Sequence, residues 1–363
     1  MSVLDQNVMA QPASKLFPIV SPAKLPVSVI TGFLGSGKTT LLNRLLMRPE
    51  MANTAVIINE FGEVPLDGSL IGSQAGEVVT LANGCMCCVV GDDFESAMGN
   101  LYRTADNAGG PSMQRILIET SGLADPAPII GSLLNSPLMA SWCVLDSVIT
   151  TVDAAHALMQ LEEHPEAASQ IAFADRLVVT KSDIVDAEQL AKVTSAIRTR
   201  NQHGKVIVVQ SGEVAAAELF GVQSKDGKPN ASHVEEVVRQ IAARSHDHHH
   251  PHDDGDHHHT PSIKAFALLD PGEIDWAQFN NWFRTLRLKH GDDLLRMKGI
   301  LRIRGEGKPI VVHGVRHIFH PPSTLESWQG LECGSRLVFI VRGAELERRH
   351  AANSAPGRST GSG

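Results

Sequence analysis

Gly32-Phe33-Leu34-Gly35-Ser36-Gly37-Lys38-Thr39 is the stretch that decides the fold. It follows Val27-Ser28-Val29-Ile30, an apolar run that reads as a buried strand. It precedes Thr39-Thr40-Leu41-Leu42-Asn43-Arg44-Leu45-Leu46, which reads as a helix. The spelling G-x4-G-K-T between a strand and a helix is a phosphate-binding loop. Gly32, Gly35 and Gly37 let the backbone turn so that its N–H groups face phosphate oxygens, and the helix start adds its dipole. Lys38 is expected to neutralise β- and γ-phosphate charge and Thr39 to ligate magnesium, with Ser36 and Thr40 completing the loop. The chain is therefore expected to bind a nucleoside triphosphate.

Working outward, strands and helices alternate through about residue 240. The strands are Thr54–Asn59, Arg115–Glu119, Ser147–Asp153, Arg176–Thr180 and Lys205–Val209. Helical stretches between them argue an α/β domain with a mostly parallel sheet covered on both faces. Ligands of such sheets gather at the carboxyl ends of the strands. The loop after the first strand, Glu60 after the second and Thr120-Ser121-Gly122 after the third all lie there. The expected organisation is a flexible segment 1–25, the P-loop domain 26–240, a His/Asp-rich linker 241–261, a smaller α+β domain 262–345 and an unstructured tail 346–363. In that second domain Ile263–Leu269, Leu294–Leu301, Ile310–His313 and Arg336–Ile340 read as strands. Trp276, Phe279, Phe283 and Leu286 mark an amphipathic helix by their spacing of three and four.

Composition narrows the function. With 363 residues there is length for two domains. Aromatics are only 4% against 42% hydrophobic residues, so the core is expected to be mostly aliphatic. A net charge of −8 without a Lys/Arg cluster argues against nucleic acid as the main partner. The sequence has no run of about eighteen apolar residues to span a membrane. The opening residues lack a basic start followed by an apolar block, so a secretory signal is not expected. Three of the five cysteines are clustered, which does not suit a disulfide framework in a chain of this length. A reduced, cytoplasmic protein is the reading; its oligomeric state is not legible.

The clustered cysteines are Cys85, Cys87 and Cys88, in the run Asn83-Gly84-Cys85-Met86-Cys87-Cys88. Thiolates suit Zn(II) and Cu(I), and Co(II) is acceptable in a tetrahedral field. Cys85 and Cys87 are the easier pair to bring onto one ion, and Cys88 is harder to add. Three thiolates leave a fourth position for water, for a carboxylate such as Glu60, or for a receiving protein's ligand, and an open position is what metal transfer needs. Cys143 and Cys333 are isolated and read as core residues. Residues 246–259 hold eight of the seventeen histidines, namely His246, His248, His249, His250, His252, His257, His258 and His259. They read either as a weak reservoir of zinc, cobalt or nickel or as a solvated linker. His313, His317 and His320 are histidines that could approach the cysteines, although strand histidines are more often packed or exposed.

Val178-Val179-Thr180-Lys181-Ser182-Asp183 ends a strand with a T-K-x-D element. Guanine-specific proteins usually carry N-K-x-D there, whose Asp accepts from guanine N1 and N2 hydrogens. Asp183 preserves that carboxylate, Lys181 its neighbour, and Thr180 replaces the amide, so GTP is favoured over ATP.

Taken together these elements resemble the CobW-type P-loop GTPases, proteins that act as metallochaperones or metal insertases. The resemblance is carried by Gly32 to Thr40, Asn59-Glu60-Phe61-Gly62-Glu63, Asn83 to Cys88 and Glu119-Thr120-Ser121-Gly122-Leu123-Ala124-Asp125-Pro126. Thr180 to Asp183, the His-rich linker, Leu295-Arg296-Met297-Lys298-Gly299 and Val312-His313-Gly314-Val315 continue it in family order across 26 to 345. It implies that Lys38, Glu119 and Gly122 serve catalysis: Glu119 holds magnesium directly or through water, and Gly122 offers its N–H to the γ-phosphate. Glu60, Glu63 and Asp67 fall where a first switch loop is expected. The implied function is GTP hydrolysis coupled to delivery of zinc or cobalt to a client metalloprotein or metal-inserting enzyme. A metal buffer or sensor indifferent to GTP, and an ATP-dependent small-molecule kinase, are the alternatives.

Overall fold

The computed structural model describes residues 24–58, 78–80, 92–107, 113–201, 204–210, 213–221, 263–291, 293–315, 318–319, 322–325, 327–328 and 333–342. The contacts divide the chain into two units, one of Pro22–Gly227 and one that includes everything from Lys228 onward.

The first unit is built on seven strands: β1 (Leu25–Gly32), β2 (Thr54–Ile58), β3 (Val78–Thr80), β4 (Arg115–Glu119), β5 (Cys143–Asp153), β6 (Arg176–Thr180) and β7 (Lys205–Val208). They pair in the order β3-β2-β4-β1-β5-β6-β7, and every pairing is parallel. Parallel strands buried on both faces need side chains that are apolar without alternation. Leu177, Val178 and Val179 of β6 meet that need: Val178 joins the core on one face, Leu177 and Val179 the core on the other. On the first face lies α1 (Lys38–Leu46), which buries Leu41, Leu42, Leu45 and Leu46. At about 1.5–3 kcal/mol per fully buried side chain, these four leucines hold the helix start in place. Helix α2 (Asp92–Asn107) follows β3, and α3 (Ala127–Asn135) and α4 (Pro137–Trp142) lead into β5. The second face is covered by α5 (Ala157–Glu163), α6 (Pro165–Phe173) and α7 (Ala187–Arg200), while a short α8 (Ala216–Leu219) returns to the first.

Strand β1 is the pivot. The chain leaves it for β2 and β4 on one side, then crosses to β5 on the other. A crevice at the carboxyl end of β1 is the position such a reversal provides for a ligand.

The second unit is a six-stranded antiparallel sheet: β8 (Ile263–Asp270), β9 (Leu294–Leu301), β10 (Ile310–Val315), β11 (Ile318–Phe319), β12 (Ser323–Thr324) and β13 (Ser335–Arg342). Its order is β11-β10-β9-β13-β8, with β12 beside β10. The helix α9 (Trp276–His290) is capped by Asp275, whose carboxylate accepts the Gln278 N–H at 2.9 Å. Arg287, Lys289 and His290 complement the dipole in its last turn. Phe279, Phe283 and Leu286 are buried, as their spacing predicts.

The structure differs from expectation in several places. The strand before Asp153 begins at Cys143, not Ser147, because the apolar run extends back alongside Leu25. The three-residue β3 and the two-residue β11 and β12 were not foreseen; they are too short to show a period. The core is mostly aliphatic in both units, as composition predicts; in the second, Phe279, Phe283 and Phe339 are buried among Ile, Leu, Val and Met side chains, with Trp276, Trp282 and Phe319 packed against them. Cys143 is buried as expected, whereas Cys333 is exposed in the bend leading into β13. The boundary expected near 240, the linker and the tail lie outside the described residues.

Gly299 shows why the motif Met297-Lys298-Gly299 ends in glycine. It pairs with Leu337 of β13 and Val312 of β10, and a Cβ there would fall 2.2 Å from the Arg336 carbonyl oxygen. Gly299→Val should therefore destabilise the second unit by about 3 kcal/mol. Gly307→Ala, where a Cβ meets open space, should stay within about 0.5 kcal/mol. Denaturant unfolding checks both, and equal stability of the two variants would remove the packing argument.

Candidate functional site

The phosphate loop forms as its glycines require. Gly35 and Gly37 have φ of 72° and 93°, and the Ser36 N–H closes a turn onto the Phe33 carbonyl at 3.1 Å. Gly37 in the left-handed region leads directly into α1. The Lys38 side chain folds back over the turn, its Nζ donating to the Gly32 carbonyl at 3.0 Å and the Phe33 carbonyl at 3.2 Å. Its ammonium is thus held at the mouth of the loop. Thr40 is exposed. The Ser36 hydroxyl points inward: its Oγ lies 2.7 Å from Thr151 Oγ1, and Ser36 is fully buried, so the hydroxyl braces the loop against β5.

Thr39, at the start of α1, meets Glu119, at the end of the neighbouring strand β4. Thr39 Oγ1 donates to Glu119 Oε1 at 2.6 Å, and Glu119 is only 5% exposed at the end of β4. A hydroxyl and a carboxylate converging beside a phosphate loop form a hard oxygen donor set, which suits magnesium. The next segment is pinned to β1, with the Thr120 N–H donating to the Ile30 carbonyl at 2.9 Å and Thr120 Oγ1 to Thr31 Oγ1 at 2.8 Å. Gly122 then rests directly on the loop: a Cβ on it would lie 2.8 Å from the Leu34 nitrogen. Lys38, Thr39, Glu119 and Gly122 are therefore brought together.

A second cluster lies where β5 and β6 end. Thr180 Oγ1 donates to the Ser36 carbonyl at 2.8 Å and lies 3.2 Å from the Val152 carbonyl, so the threonine that replaces asparagine ties this loop to the phosphate loop. Lys181 adopts a left-handed backbone, φ 56°, and its Nζ donates to Asp153 Oδ2 at 2.7 Å. Asp183 is exposed in a single helical turn, Ser182–Ile184. Ser182 Oγ fixes that turn to the end of β7 through the Val209 carbonyl at 3.0 Å.

Asp153 is the residue that sequence reasoning missed. It ends β5 in register with Thr180, and a carboxylate at the carboxyl end of a parallel strand was the available signal. Burial works against its charge. Hydrogen bonds from Lys181, from the His156 ring at 2.9 Å and from the Ala155 N–H at 2.9 Å outweigh it, and hold the carboxyl below the usual range. A depressed carboxyl stabilises the fold above its unfolded pKa, and that contribution is lost as pH falls through the folded value.

Of the metal residues, Cys85, Cys87, Cys88, Glu60 and all eight histidines of 246–259 lie outside the described residues, as do Glu63, Asp67, His317 and His320. Among the described residues no three His, Cys, Asp or Glu side chains form a group able to hold a metal ion. His313 lies on β10 in register with Lys298. Burial pushes the Cys143 thiol up to about 12, against the pull of Lys24, which makes it unreactive at neutral pH. Among the described residues no helix is long and apolar enough to cross a membrane.

Comparison with known proteins agrees with this geometry. Residues 26–208 match the family described as CobW/HypB/UreG, nucleotide-binding domain, and residues 263–353 match the cobalamin synthesis protein cobW C-terminal domain. The chain is 34% identical over 317 residues to the zinc chaperone YjiA of Escherichia coli, covering 87% of this chain and 93% of that one. It is 32% identical to the zinc chaperone CobW of Pseudomonas aeruginosa, over 95% of this chain and 94% of that one. A crystal structure of the Zn(II)-bound YjiA GTPase from E. coli superposes with a TM-score of 0.65 at 27% identity, covering 91% of this chain and 98% of that one.

Two substitutions separate the clusters. Lys38→Ala should cut GTP turnover at least about 100-fold with the melting temperature unchanged. Asp153→Asn should weaken GDP and GTP binding together, about tenfold, with kcat near the parent's, because Lys181 loses its anchor. Nucleotide titration and steady-state kinetics check these; unchanged affinity in Asp153→Asn would detach the Lys181–Asp153 pair from the nucleotide.

Proposed function

The chain belongs to the CobW family of P-loop GTPases, and on that premise we propose that it is a GTP-hydrolysing zinc metallochaperone whose grip on the metal follows its nucleotide state. The observation that carries the reading is the seat of Gly122 on Leu34, immediately beside the Thr39–Glu119 contact. A backbone donor, a lysine and a magnesium-type oxygen pair share one crevice, which is what a loop sensing the γ-phosphate requires.

In this reading the phosphate loop and Lys38 cradle the phosphates, Thr39 and Glu119 hold magnesium, and Asp183 reads the guanine with Lys181 and Thr180 behind it. Bound magnesium neutralises charge on the β- and γ-phosphate oxygens. Gly122 donates its N–H to the γ-phosphate. Hydrolysis and phosphate release remove that acceptor, and the loops that depended on the γ-phosphate relax.

The cargo is held by Cys85, Cys87 and Cys88, with Glu60 as a further ligand from the second strand's exit. Support comes from the soft thiolate set and from the relatives named zinc chaperones and, in Schizosaccharomyces pombe, a zinc-regulated GTPase metalloprotein activator at 30% identity. Zinc is the proposed metal; cobalt is the alternative that the same donors accept. The histidines of 246–259 act as a weak reservoir, and the second unit selects the client metalloprotein. Free thiolates as ligands require a reducing compartment, so the cytoplasm is the proposed location.

Cys87→Ser tests the metal assignment. Its zinc affinity, measured by chelator competition, should fall at least about 100-fold while KM for GTP stays within twofold. Zinc affinity equal to the parent's would remove the cysteine run from the metal site.

A further inference from the structure

The segment that carries Gly122 is also held from beneath. Gln170 lies on α6, is 1% exposed, and turns its amide toward the chain that follows β4. Its Nε2 donates to the Gly122 carbonyl at 3.1 Å and to the Ala124 carbonyl at 3.0 Å. Both hydrogens of one side-chain amide are thus spent on two carbonyls of a single turn, one on each side of Leu123. The clamp has its own anchor: Thr150 Oγ1 of β5 donates to the Gln170 carbonyl at 2.8 Å. Phe33 of the phosphate loop and Gln170 line the same small cavity, so the amide works just behind the loop.

Among the described residues Gln170 Oε1 has no hydrogen-bond partner and is buried, and an unsatisfied buried acceptor costs about 1–3 kcal/mol. An apolar side chain of the same size would spare that cost but would leave two buried carbonyls, those of Gly122 and Ala124, without this donor. What the amide contributes beyond filling space is the orientation of those two carbonyls.

We propose that Gln170 is a positioning residue for GTP hydrolysis: its amide fixes the Ser121–Ala124 turn so that the Gly122 N–H is aimed at the γ-phosphate before nucleotide arrives. This rests on the reading of Gly122 as the γ-phosphate donor. The turn is otherwise short of restraints on its outer side, where Leu123 is 52% exposed. With both carbonyls held, the peptide that follows Gly122 keeps one orientation, and the Ser121 carbonyl on its other side accepts the Ala124 N–H at 3.1 Å. Gly122 is thereby confined from both sides, and the γ-phosphate meets an N–H that needs no reorganisation. Without the clamp the turn samples other orientations, and the phosphate binds only the fraction that is competent. GDP, which lacks the γ-phosphate, should not register the difference.

The test compares Gln170→Met, of similar size but without donors, with the parent. Affinities for GDP and for a non-hydrolysable GTP analogue are measured with magnesium, together with kcat and KM for GTP. The proposal expects GDP affinity within twofold of the parent, the preference for the analogue over GDP reduced at least about tenfold, and kcat reduced at least about tenfold. Equal loss of GDP and analogue affinity, or an unchanged preference and kcat, overturns it. Should Gln170→Met fail to fold, Thr150→Val removes only the hydroxyl anchoring Gln170. A preference reduced at least about threefold then supports the clamp, and no change overturns it. Gly122→Ala is the companion control: intact turnover there would show that the reading of Gly122 is what failed, and the proposal would fall with it.

Discussion

There is no room for a side chain at Gly32. A Cβ on it would stand 2.4 Å from the Thr151 carbonyl oxygen and 2.8 Å from Ser36 Oγ. This close approach of β1 to β5 is the constraint on which the site depends. It lets the chain turn sharply at the end of the central strand, so that Ser36 meets Thr151 and α1 starts with Lys38 folded over the turn. Because β4 lies on the other side of β1, Glu119 arrives opposite Thr39 without any dedicated loop. The four leucines of α1 then fix the helix start against the sheet. A packing fact at one glycine thereby sets the positions of a cation, a hydroxyl and a carboxylate.

The same economy extends to the far end of the crevice. Thr180 donates to the carbonyl of Ser36, so the loop expected to read the base is bonded to the loop expected to hold the phosphates. Asp153 anchors Lys181 from β5, the strand that also supports Gly32. Three successive strand ends thus act on one ligand position. Rigid support of this kind suits a site that must sense a single phosphate, because a switch registers only against parts that stay still.

Much of this was legible in the sequence, for identifiable reasons. The phosphate loop was readable because its glycines, lysine and threonine are each demanded by backbone geometry or charge, and strands such as Arg176–Thr180 because burial on both faces forces an unbroken apolar run. Helix α9 was readable because Phe279, Phe283 and Leu286 share one face. Asp153 and Gln170 were not, since each acts on residues distant in sequence, Lys181 and Gly122, and neither sits in a local pattern. Cys333 was misread because a lone cysteine in a short stretch carries no period to show which way it faces. The clustering of Phe339 with Phe279 and Phe283 in the second unit was hidden because composition averages over the whole chain.

A phosphate switch and a thiolate metal site in one chain make a chaperone only if the first controls the second. The most direct measurement is the zinc affinity of the protein lacking 246–259, taken by chelator competition with magnesium and either GDP or a non-hydrolysable GTP analogue. Removing the histidines keeps weak sites from masking the cysteine site. The account predicts affinities that differ at least tenfold between the two nucleotides, about 1.4 kcal/mol of coupling. Equal affinities would contradict it, leaving a GTPase beside a metal site that does not sense it.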